Sequence, residues 1–142
     1  MKALLSILAA FSSVAASPAT MPVPDRFGLR CSGMETVVVG HDPARHLAYH
    51  LSITVDLPHR NYCDGLCRPA ETYILRRAAS GVLMLSDVDL PQQSRHMLFD
   101  PRTMHLSDDQ RIRMGGLPAL HRRAQAQCQY GAAGAPSQDP TP

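Results

Sequence analysis

Between Leu47 and Leu57 the chain alternates without interruption: Leu47, Tyr49, Leu51, Ile53, Val55 and Leu57 interleave with Ala48, His50, Ser52, Thr54 and Asp56. Successive side chains of a β-strand leave opposite faces of the sheet, so a period of two over this length specifies a strand with one dry face and one wet face. A register slip of one residue would expose the whole apolar set, which fixes the pairing of this strand firmly. The same alternation returns near the end, where Ala124, Ala126, Cys128 and Tyr130 interleave with Gln125, Gln127 and Gln129. This second run reads as a strand, although its alanines also suit a helix.

Shorter strand candidates lie around and between these two: Phe27 to Cys31, Glu35 to Val39, Thr72 to Arg76, Val82 to Leu85, Arg95 to Phe99 and Met104 to Leu106. Turn chemistry separates them at Gly40-His41-Asp42-Pro43, Asp64-Gly65, Ser80-Gly81, Asp100-Pro101 and Gly115-Gly116-Leu117-Pro118. Many short strands punctuated in this way predict an all-β fold, a small antiparallel sheet forming a sandwich or a strongly curved half-barrel. In the Arg95 to Leu106 hairpin, Met97 and Phe99 point opposite to Leu98, which leaves its buried face open.

Residues 1–19 read as a signal peptide: Lys2 precedes an apolar run from Ala3 to Val14, and the small residues Ala15, Ala16 and Ser17 follow. Cleavage after Ala16 and cleavage after Ala19 both satisfy the small-residue rule. The apolar run is too short for a membrane span of roughly 20 residues, and no later stretch supplies one. The expected mature chain is a single β domain over 20–130, exported to the periplasm or secreted, followed by a tail over 131–142 that lacks apolar surface and is expected to be disordered.

An exported chain of this size uses its cysteines for staples. Cys63 and Cys67 flank the Asp64-Gly65-Leu66 turn, close enough to bond, which leaves Cys31 and Cys128 for each other. Cys63-x-x-x-Cys67 has one residue more between its thiols than the usual redox pair.

Charge argues against nucleic acid. Lys2 is the only lysine among 14 Lys and Arg residues, and without it the arginines face 12 carboxylates, for a mature net charge of about +1. The pairs Arg76-Arg77, Arg111/Arg113 and Arg122-Arg123 are scattered among acidic residues, consistent with charged strand edges rather than one basic face. Tryptophan is absent, and the aromatic residues are spread singly, so no stacking platform for bases is expected.

No catalytic constellation, cofactor site or metal site is expected. His41, His46, His50 and His59 cluster in sequence, but His46 and His50 on one strand face stand about 13 Å apart, too far to share a zinc ion; a site built around His50 with His96 from another strand is the remaining metal option. Gly-x-Ser-x-Gly is missing. The most polar anchored loop runs from Pro58 to Glu71, and its His59, Asp64 and Glu71 form the candidate binding loop, with Arg60 and Arg68 beside them. A non-catalytic binding protein for another macromolecule or envelope component is therefore the leading expectation. The alternative is a small periplasmic hydrolase using this loop.

Phe27-Gly28-Leu29-Arg30-Cys31-Ser32-Gly33, the long alternating strand, Tyr62-Cys63 with Cys67, the Asp100 hairpin and Cys128 together resemble small exported proteins of unknown function from alphaproteobacteria. That resemblance implies a disulfide-bonded β-sheet protein and no activity. The chain is also similar to the C-type lysozyme inhibitors, small periplasmic β-barrels with an early cysteine and an inhibitory loop containing Ser-Gly-x-x-Tyr. Here Ser80-Gly81 is followed by Val82, Leu83 and Met84, without the tyrosine, and the lysine that family uses later is missing.

Overall fold

The computed structural model describes residues 23–65 and 67–133. The expected signal segment, and the expected tail from residue 134 onward, lie outside them. In chain order the strands are β1 Arg26–Val39, β2 Arg45–Asp56, β3 Asn61–Asp64, β4 Tyr73–Ile74, β5 Arg76–Arg77, β6 Leu83–Leu90, β7 Gln93–Asp100, β8 His105–Ile112 and β9 Leu120–Gly131, with a single 3-10 turn at Pro69–Glu71. All pairs are antiparallel and form one sheet in the order β4-β3-β2-β1-β9-β8-β7-β6-β5. The fold is all-β, and the curvature expected of a half-barrel goes further, to a nearly closed barrel.

Closure has an unusual source. The two edge strands of the sheet, β4 and β5, are consecutive in the chain and separated only by Leu75. One extended segment thus pairs through Tyr73 and Ile74 with β3 on one side, and through Arg76 and Arg77 with β6 on the other. Leu75 sits buried at the crossing, and its N–H donates to the Arg60 carbonyl at 2.8 Å.

Away from this seam the ladders are long. β1 pairs β2 from Arg26↔Asp56 to Val37↔Arg45, and pairs β9 from Gly28↔Gly131 to Val39↔Leu120. The two stretches expected as separate strands, Phe27 to Cys31 and Glu35 to Val39, are one strand, joined through Ser32-Gly33-Met34. Gly33 has a steric reason: a Cβ there would collide with the Gln125 carbonyl of β9. Cys31 and Cys128 stand directly opposite on β1 and β9 and are bonded, and Cys63 is bonded to Cys67.

The alternation delivers the core. Phe27, Leu29, Ile53, Val55, Phe99 and Leu106 all turn inward and are buried. In β7 the ambiguous face resolves, with Met97 and Phe99 buried and Leu98 outside. Leu83 and Leu85, two apart in β6, are both buried, and the bulge between Met84 and Ser86 then shifts the phase, setting Ser86 opposite inward Met97 and Asp87 opposite His96. Two expectations need correction. The stretch Pro58 to Glu71, read as a loop, contains strand β3. Arg122, read as part of a charged edge, lies in the interior strand β9 and reaches Glu35 at 2.7 Å.

Candidate functional site

Charged side chains occupy two settings in this barrel. The first is internal. Asp108 on β8 is 1% exposed and accepts hydrogen bonds from Arg95 Nε at 3.0 Å, Arg95 Nη2 at 2.8 Å and the Tyr49 hydroxyl at 3.2 Å. Arg122 lies 3.6 Å from the same carboxylate, pairs with Glu35 and stacks its guanidinium 5.7 Å from the centre of the Tyr49 ring. Burial, with the Asp108 charge and hydrogen bond behind it, pushes the Tyr49 phenol well above its ordinary range. The hydrogen bonds to Asp108 likewise raise Arg95, which stays charged. Two carboxylates face two guanidinium groups, and among the described residues every buried polar side-chain atom has a partner. A cluster of this kind, with its carboxylates and guanidinium groups paired to one another, holds strands together.

The second setting is the seam, where the surface is hollowed beside the β4–β5 crossing. A groove of about 640 Å³ has Leu57, Ile74, Leu75 and Met84 as apolar lining and Arg60, Arg76 and Arg77 as its charged groups. No carboxylate lines it. Arg76 has a distant partner in Asp87 at 3.8 Å, while Arg60 and Arg77 make no ion pair among the described residues. The groove's volume falls within the roughly 300–1,000 Å³ range of small-molecule sites. Guanidinium forks match carboxylate and phosphate oxygens.

Arg60 carries a further mark. Its φ is 51°, in the left-handed region that glycine enters freely and other residues enter at a cost of order 1 kcal/mol or more. An arginine therefore stands on the groove wall at a position the backbone would give to glycine. Its neighbours hold it there: its N–H donates to the Leu57 carbonyl at 3.2 Å, and its own carbonyl receives the Leu75 N–H.

The candidate binding loop is distributed around this region. His59 is exposed and pairs with Asp56 at 2.8 Å, and the His59 backbone N–H, above all, holds the Asp56 carboxyl below its ordinary value. Asp64 is exposed at the end of β3. Glu71 pairs with Arg68 at 3.9 Å. No hydrogen bond or ion pair joins His59, Asp64 and Glu71 to one another among the described residues. His46 and His50 both lie on β2, and the His46 ring meets the Thr36 hydroxyl at 3.2 Å; His96 pairs instead with Asp87 at 3.0 Å. Sequence reasoning picked out Arg60 and the Arg76-Arg77 pair individually but did not join them. The joining signal is the apolar Ile74-Leu75 between the polar loop and the arginine pair.

No family model, no curated protein and no solved structure matches the chain. The function therefore rests on the geometry.

Proposed function

We propose that this chain is an exported, non-catalytic binding protein of the cell envelope, and that its ligand is an amphiphile: an anionic head joined to an apolar body. The observation that carries the reading is the seam groove, lined by three arginines and four apolar residues with no carboxylate. The head would be gripped by charge-assisted hydrogen bonds, each worth about 1.5–3 kcal/mol. The apolar body would add about 0.8 kcal/mol for each methylene removed from water. Export is supported by the apolar amino-terminal segment and by two disulfides of the kind that persist in oxidising compartments. The hydrolase reading has less behind it, because His59 and Glu71 are each occupied with a different local partner.

Calorimetric titration with dodecyl phosphate, against dodecanol and inorganic phosphate as controls, tests the reading. Dodecyl phosphate is expected to bind and the two controls to bind far more weakly, because each supplies only half of the recognition. Arg60→Gly keeps the backbone conformation and removes one guanidinium, so it should weaken binding about tenfold or more. Equal affinity for dodecanol, or an unchanged affinity in the variant, would refute the assignment.

A further inference from the structure

The barrel wall is complete over only part of its height. β3 pairs β2 at Ile53–Asp56 and leaves Arg45–Ser52 without a strand on that side. On the other side of the seam, β5 pairs β6 at Leu83 and Met84 alone, whereas β7 pairs β6 as far as Leu90. Among the described residues, the backbone of β6 from Ser86 to Leu90 therefore has an open edge. Such an edge presents unpaired N–H and C=O groups in the spacing of a strand, ready to be continued by another chain.

Three observations say what would continue it. A second hollow, of about 370 Å³, lies against this edge, walled by Tyr62 and Tyr73 on one side and by Leu85 to Val88 on the other. The outward side chains of the edge are acidic: Asp87 and Asp89 are both exposed, Asp87 already shared with Arg76 at 3.8 Å and His96 at 3.0 Å, whereas Asp89 makes no ion pair among the described residues. Pairing with a second copy of the same edge is disfavoured. In an antiparallel arrangement centred on Val88, Asp87 of one copy would stand opposite Asp89 of the other, and like charges directly opposite destabilise a sheet.

We infer that the β6 edge from Ser86 to Leu90 accepts an extended segment of a partner protein as an added strand, one with basic side chains at alternate positions and apolar side chains between them. The basic set meets Asp89 outside, Asp87 being already shared with Arg76 and His96, and the apolar set enters the hollow beside Tyr73. Backbone hydrogen bonds supply the shared part of the affinity, and the alternating side chains supply the selection. The hollow shares Ile74, Arg76 and Met84 with the arginine groove, but strand addition rests on the unpaired backbone of β6 and on Asp89, neither of which the groove uses, so either can fail without the other.

The full chain, labelled with nitrogen-15 and titrated with a synthetic peptide alternating lysine and valine, gives the test. Binding should shift the amide signals of Ser86 to Leu90 and slow their hydrogen exchange. The same peptide with proline at every second position should not bind, because proline cannot donate to the ladder. Asp89→Arg, at an exposed position, should reverse the preference towards an alternating glutamate-valine peptide by about two- to five-fold, the range of a cross-strand charge pair. Absence of binding, shifts confined to β2 or to the arginine groove, equal binding of the proline peptide, or an unchanged preference in Asp89→Arg would each overturn the inference.

Discussion

The same strands build two very different halves of this barrel. Where the wall is closed, β1 is flanked along nearly its whole length by β2 and β9, and the interior is apolar, with Phe27, Leu29, Ile53 and Phe99 all at 2% exposure or less. At the seam the flanking strands shrink to two residues each, β4 and β5, and the surface breaks into two hollows. Between these regimes the inward positions change from apolar to charged, at Glu35, Arg95, Asp108 and Arg122. The lesson is that alternation alone sets which way a side chain points. What belongs there is decided by whether a wall stands opposite.

The two disulfides offer the largest contrast. Cys31–Cys128 joins residues 97 apart in sequence within the complete wall, and Cys63–Cys67 joins residues 4 apart beside the seam. Loop-closure entropy assigns about 4.7 kcal/mol to the first and about 2 kcal/mol to the second. Denaturant titration of Cys31→Ala with Cys128→Ala, beside Cys63→Ala with Cys67→Ala, should reproduce that order. A reversed order would mean the seam, not the long ladder, limits stability.

Next in size is the internal ion cluster. Asp108→Ala strands two arginines and should cost about 3 kcal/mol, whereas Asp108→Leu combined with Arg95→Met replaces the bidentate pair by apolar packing and should recover most of that loss. If the double variant is no better than the single one, the cluster is doing something other than filling the interior.

Acid should act more weakly and on the surface. Asp109 illustrates the sign: burial would raise its pKa, but hydrogen bonds from Arg123 and His121 outweigh burial and hold it below the ordinary 3.8. Asp56 and Asp100 are lowered as well, chiefly by the backbone N–H groups of His59 and Arg102. Folded pKa values below the unfolded ones mean that the unfolded chain binds more protons as acid is added. Their contribution is complete above the unfolded value, near 4, and is lost as pH falls through the lower folded values. Thermal melts should therefore decline as pH falls below about 4, with Asp109→Asn reducing the decline.

The smallest expected effect on stability is that of Arg60→Gly. Relief of the left-handed strain and the added freedom of the unfolded chain oppose each other, leaving a change within about 0.5 kcal/mol. A large loss would show that the Arg60 side chain supports the seam instead of serving a ligand.

Legibility in the sequence follows the same division. In β2 and β9 the period of two names the buried Tyr49, Ile53, Val55, Ala124, Ala126 and Cys128, but Leu47 is exposed, Leu51 half-buried and Thr54, on the expected wet face, buried. β1 is harder to see whole, because Gly33 is dictated by the approach of β9 and adds no apolar signal of its own. β8 extends to Ile112, beyond the expected Leu106, since its inward residue Asp108 looks like surface until Arg95 and Arg122 arrive from other strands. β3 is only four residues, with buried Tyr62 and Cys63 between Asn61 and Asp64, too short for alternation to show, and it pairs with β2. The candidate site is the least legible part: the Arg76-Arg77 pair is visible, but its union with Arg60 depends on the one-residue crossing at Leu75.

Residue-resolved amide hydrogen exchange on the free protein tests the central claim, a barrel closed on one side and open at the seam. Amides of β1 from Leu29 to Val37 and of β9 from Leu120 to Gln127 should be uniformly slow, and in β6 from Ser86 to Leu90 and β2 from Arg45 to Ser52 every second amide should exchange quickly. Uniform protection along β2 and β6 would contradict an open seam and remove the ground for binding there.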